Sequence, residues 1–130
     1  MKKNESLLRI SFWIGAVFDG LMVFPMLIPS IAGVMFGIDG FNPGNDYRFA
    51  MQIASSLMIG WTMLLIWADR KPKERAAILL LTVFPVIFCL FISEIFAVYS
   101  GFILFAKMLP TWIMQVLMSV FFIFSYVKNR

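Results

Sequence analysis

The chain has 130 residues, 62% of them hydrophobic and 14% charged, with a mean hydropathy of +0.90. A water-soluble domain is nearer half apolar and a quarter charged, and here the excess is gathered into long unbroken blocks, which points to an integral membrane protein. With no histidine and one cysteine, Cys89, a Ser-His-Asp triad, a His-ligated haem, a Cys/His zinc site and an internal disulfide are excluded; the net charge of +4 comes with no basic helix or aromatic ladder for nucleic acid.

The first apolar block covers residues 7–28 and ends at Pro25 and Pro29. Residues 31–38 are apolar but too short to span alone, and read as the last turns of helix 1 or as an interfacial segment. Residues 39–47 (DGFNPGNDY) are dense in turn formers and make the first loop. The second block, residues 48–67, would cover roughly 30 Å as a helix. A charged turn at residues 69–75 (DRKPKER) leads into the third block, residues 76–98, where Pro85 predicts a kink. Ser100 and Gly101 mark the next turn, and the fourth block covers residues 104–126. The expected fold is therefore all-α, a single membrane domain of four transmembrane helices. A cleaved signal peptide is the competing reading of the N-terminus, since Lys2 and Lys3 precede the apolar block. That block is longer than the apolar core of such signals, so it is expected to persist as the first span.

Charge sets the expected orientation. Lys2, Lys3, Arg9, Arg70, Lys71, Lys73, Arg75, Lys128 and Arg130 fall on the side of the termini, and only Arg48 and Lys107 on the other. Nine against two over short loops places both termini in the cytoplasm, in a multi-pass protein of the bacterial inner membrane. A fixed orientation also disfavours antiparallel dual-topology dimers.

Polar residues within a span are expensive and need a partner or a purpose. Asp19 lies halfway along helix 1, where an ionised carboxylate costs about 3 kcal/mol on insertion scales. It shares a face with Ser11 and Gly15, four residues apart. It reads either as a proton- or cation-binding group or as a hydrogen-bonded packing residue. Helix 2 carries Arg48 and Gln52 on one face, the small pairs Ala50/Ala54 and Ser56/Gly60, and a mid-span Trp61 that packs in the bundle or walls a pocket. Helix 4 carries a polar row, Lys107, Thr111, Gln115 and Ser119, that cannot comfortably face lipid. Glu94 on helix 3 is expected near Lys107, as a salt bridge or as part of a pocket. Together Asp19, Arg48, Gln52, Trp61, Glu94, Lys107, Thr111 and Gln115 predict a polar cleft that opens at the outer face and tapers toward Asp19. No metal or cofactor is expected. The methionines and phenylalanines read as core and lipid-facing filler.

Arg9, Gly15, Gly20 and Pro25 in helix 1, the glycine-containing first loop, Arg48, Gly60, and the turn Asp69-Arg70-Lys71-Pro72 form a pattern over roughly residues 8–90. In this pattern the chain resembles the DoxX-like group of small bacterial four-span proteins. The resemblance implies a four-helix membrane bundle acting as an accessory subunit of membrane redox systems, and supplies no catalytic residue. Asp19 and the phenylalanine-rich fourth helix fall outside the family pattern.

Three functions fit these observations. The first is a non-enzymatic module that binds a lipid, quinone or other small amphiphile, or supports a partner membrane subunit. The second is a small proton- or cation-coupled transporter using Asp19, which needs a homo-oligomer to enclose a path. The third is an intramembrane isomerase or lipid-modifying enzyme with Asp19 and Glu94 as acid and base.

Overall fold

The computed structural model describes the backbone of residues 2–130 and the side chains of residues 5–130. The side chains of Lys2 and Lys3, two of the basic residues that set the expected orientation, lie outside the described residues. Every regular element among the described residues is helical: α1 (Lys2–Leu27), α2 (Pro29–Phe36), α3 (Asn45–Asp69), α4 (Ala77–Leu81), a π-helical turn (Thr82–Ile87), α5 (Phe88–Tyr99) and α6 (Phe105–Lys128). Four stretches are long and apolar enough to cross a membrane: Glu5–Leu27, Asn45–Asp69, Ala77–Tyr99 and Phe105–Lys128. An apolar run satisfies its backbone groups within itself only as a helix, which is why these blocks take this form.

The interruptions have local causes. Ile28 is extended (φ −115°, ψ 99°), the conformation favoured before a proline, and Pro29 opens α2 at a position that needs no N–H. Residues 31–38 are therefore mostly a helix of their own, separate from α1. α2 ends at Gly37, whose φ of +73° suits glycine and lets its N–H and that of Ile38 bond back to the last turn. In the third span, Pro85 lacks the N–H a regular helix would use, and the backbone widens there into the π turn. The expected kink at Pro85 takes this form.

The chain runs up, down, up and down, so both described ends meet at one end of the bundle. There Leu8, Phe12, Leu65, Leu79 and Phe122 are fully buried with Ala16, Ala68, Ala76 and Val83 in the main core. Ser11 and Ser125 are also fully buried and hydrogen bond at 2.8 Å, joining α1 to α6. Arg9 grips Asp69 through two hydrogen bonds of 2.9 and 3.1 Å, joining α1 to α3. The Arg75 guanidinium lies 3.3 Å over the Trp67 ring. α1 packs most extensively on α3, and α6 touches α1 and the α4 segment, whereas α5 buries no residue fully. The bundle is thus tight near the termini and looser toward the loop that joins α5 to α6. Large apolar side chains cover its outer surface, among them Leu57 at 72% and Phe96 at 68% exposure.

Candidate functional site

The looser half holds two adjoining, partly open cavities. The first, about 280 Å³, is lined from α1 by Phe18, Asp19, Met22 and Met26, from α3 by Met58, and from the π turn by Thr82, Val86 and Ile87. α5 adds Leu90 and Glu94, and α6 adds Pro110, Thr111, Met114, Gln115 and Met118. The second, about 260 Å³, lies on the loop side and includes Tyr47, Ser93, Phe102 and Lys107. Met22, Met26, Leu90, Glu94 and Thr111 line both, so the two spaces are continuous along the bundle. An edge-packed cluster of Phe36, Phe41, Tyr47 and Phe102, with ring centroids 5.3–6.1 Å apart, closes the loop end.

Of the sequence-predicted residues, Asp19, Glu94, Thr111 and Gln115 come together on the first cavity, and Lys107 lines the second. Arg48, Gln52 and Trp61 line neither. Arg48 ties the first loop to α3, donating to the Pro43 carbonyl at 3.1 Å and to Asn42 Oδ1 at 3.0 Å. Gln52 is exposed on α3, where its backbone carbonyl accepts from the Ser55 and Ser56 hydroxyls. Trp61 reaches the site indirectly: its Nε1 donates to Thr82 Oγ1 at 3.1 Å, and Thr82 in turn donates to the Ile78 carbonyl at 2.8 Å. Ser56 and Gly60 do not mediate a close helix approach within the chain, since a Cβ at Gly60 would meet nothing within 4 Å.

The expected Glu94–Lys107 pair is replaced by another. Gln115 Nε2 donates to Glu94 Oε1 at 2.8 Å, while the Lys107 stem packs against Gly37. Side-chain direction explains the exchange. Cα–Cβ bonds lean toward a helix's N-terminus. α5 and α6 are antiparallel, so Glu94 leans away from their connecting loop and Lys107 toward it. Gln115, two turns further along α6, leans back toward Glu94.

The polar groups are incompletely satisfied. Asp19 Oδ2, Glu94 Oε2, Gln115 Oε1 and Trp112 Nε1 are buried with no hydrogen-bond partner. The ion pairs among the described residues are Arg9–Asp69 and Lys71–Glu74, so neither cavity carboxylate has a basic partner. No three metal-ligating side chains converge among the described residues.

Sequence reasoning missed Thr82 and the methionines. Eight of the chain's ten methionines line one cavity or the other, so they concentrate on this space. A spacing signal was present: Met22 and Met26, and Met114 and Met118, are pairs four apart on the helices that carry Asp19 and Gln115. Comparison with family models, curated proteins and solved structures gives no match to this chain.

Proposed function

We propose that the chain is a multi-pass protein of the bacterial inner membrane, with both termini cytoplasmic, that holds a lipid, quinone or other small amphiphile in its central cavity without transforming it. The observation that carries this reading is the cavity itself: a methionine-rich wall interrupted by a small set of polar groups, Asp19, Glu94, Thr111 and Gln115. Ligand sites are concave, mostly apolar and marked by a few convergent polar groups, and methionine adapts its shape to varied apolar partners. A DoxX-like role as an accessory subunit of a redox complex is compatible with this reading and rests on the residues quoted for the resemblance.

The test is native mass spectrometry of protein extracted into nanodiscs with its own lipids. A bound amphiphile of defined mass is expected on the parent. It should be absent from Leu90→Trp, which fills the space shared by the two cavities from α5, where the main core is not disturbed. A parent that carries nothing, or a Leu90→Trp variant that carries the same molecule, overturns the proposal.

Coupled transport is the second reading, favoured by one observation: Asp19 Oδ2 is buried without a partner.

A further inference from the structure

The polar end of the occupant follows from what the cavity leaves unsatisfied, an inference that rests on the binding reading above. Three acceptors are buried and unpartnered: Asp19 Oδ2, Glu94 Oε2 and Gln115 Oε1. The Gln115 amide is oriented by its bond to Glu94, because only its nitrogen can donate to a carboxylate, so its oxygen is left as an acceptor. The Thr82 hydroxyl proton is already engaged by the Ile78 carbonyl. Trp112, packed against Phe91 and Phe105, lines neither cavity, but its Nε1 approaches the Glu94 carboxylate without completing a hydrogen bond; among the described residues Glu94 thus has a donor within reach and Asp19 Oδ2 has none. The first cavity therefore holds an excess of acceptors, two of them on carboxylates, and its lining contains no basic side chain.

Each class of occupant meets this differently. An anion is repelled by both carboxylates. An oxidised quinone brings only acceptors and leaves Asp19 Oδ2 unpaired. An alcohol brings one donor. A primary ammonium brings three donors and one positive charge, and a buried charge is tolerated when it is paired and hydrogen-bonded.

We propose that the cavity selects a lipophilic primary amine, with its ammonium on the Asp19 carboxylate and its hydrocarbon chain along the methionine wall. The head group is placed by charge-assisted hydrogen bonds, which are about twice as strong as neutral ones. The tail adds apolar contact but little selectivity.

The probes are octylamine, octanol and octanoate, which share a chain and differ in the head. They are titrated against the full chain in nanodiscs, with the thermal midpoint as readout and Leu90→Trp as the blank for partitioning into lipid. Octylamine is expected to half-saturate at roughly tenfold lower concentration than octanol, a difference of about 1.4 kcal/mol, with octanoate weakest. Asp19→Asn combined with Glu94→Gln keeps the shape and should erase the preference for octylamine. Equal responses to octylamine and octanol in the parent, or a preference that survives the double change, overturn the amine assignment. In the first case a saturable octanol response absent from Leu90→Trp leaves the binding reading standing. No response above that blank with any probe overturns both. Should the double variant fail to fold, the parent's own ranking of the three probes and the single Asp19→Asn variant decide.

Discussion

Asp19 and Asp69 are the same residue type in opposite circumstances. Asp69 is nearly buried but held by the two-pronged Arg9 contact, whereas Asp19 Oδ2 faces the cavity wall with no protein partner. A carboxylate costs more to bury than an amide, so Asp19→Asn is expected to leave the thermal midpoint unchanged or slightly raised. The function readings separate on a second measurement. In proteoliposomes under a pH gradient, neither parent nor variant should pass protons if the cavity only holds an amphiphile. A flux present in the parent and lost in a folded Asp19→Asn protein would establish coupled transport instead. Ser11 and Gly15, on the same face of α1, belong to the packed core, so that face changes from structural to cavity-lining between Gly15 and Asp19.

In a bilayer, close contact between helices has to do what hydrophobic burial does in water, because lipid tails are as apolar as leucine. Gly15 is where α1, α3 and α6 meet: a Cβ there would lie 2.9 Å from Leu65 Cδ1 and 3.3 Å from a Phe122 ring carbon. Gly15→Val should therefore force the three helices apart at a cost of about 1–3 kcal/mol, read as a lower thermal midpoint. Gly60→Ala on α3, where the added atom meets open space, should lower nothing and serves as the control. The number and course of the long helices were legible in the sequence, because an apolar run of that length has one backbone solution. The separation of α2 from α1 was half legible: Pro29 was visible, yet a proline inside a helix kinks or ends it according to its neighbours, as Pro25 within α1 illustrates. The site was legible in depth and not in rotation. Asp19, Glu94, Thr111 and Gln115 stood out as polar residues in apolar runs. Arg48 stood out equally, but its partners are in the neighbouring loop, and Gln52 faces outward. Which way a side chain turns depends on the packing of other helices, and the sequence of one helix does not contain that information.

Across the whole molecule, polarity is distributed by end. Arg9, Asp69, Arg70, Lys71, Lys73, Glu74, Arg75, Lys128 and Arg130 gather at the termini end, with Trp13 and Trp67 half-exposed among them. The opposite end carries Arg48 and Lys107 as its basic residues, both near the aromatic cluster of Phe36, Phe41, Tyr47 and Phe102. Short loops rich in Lys and Arg stay in the cytoplasm, and aromatic rings settle at the headgroup level, so this asymmetry supports the proposed orientation, with cytoplasmic termini and the cavity's loop end in the outer leaflet. Each long helix, at 23–25 residues, covers about 35 Å, enough for a bilayer core with modest tilt. The four-crossing arrangement fixes the side of every loop once one is known. Alkaline phosphatase, active only after export, should be inactive when fused after Arg130 and active when inserted after Gly40, a turn position where a Cβ would meet nothing. Green fluorescent protein should give the reverse pattern. Phosphatase activity at Arg130 but not at Gly40 would invert the orientation and place the cavity's loop end in the inner leaflet. Equal behaviour at both sites would mean that an odd number of crossings does not separate them, and the four-span bundle would fail with it.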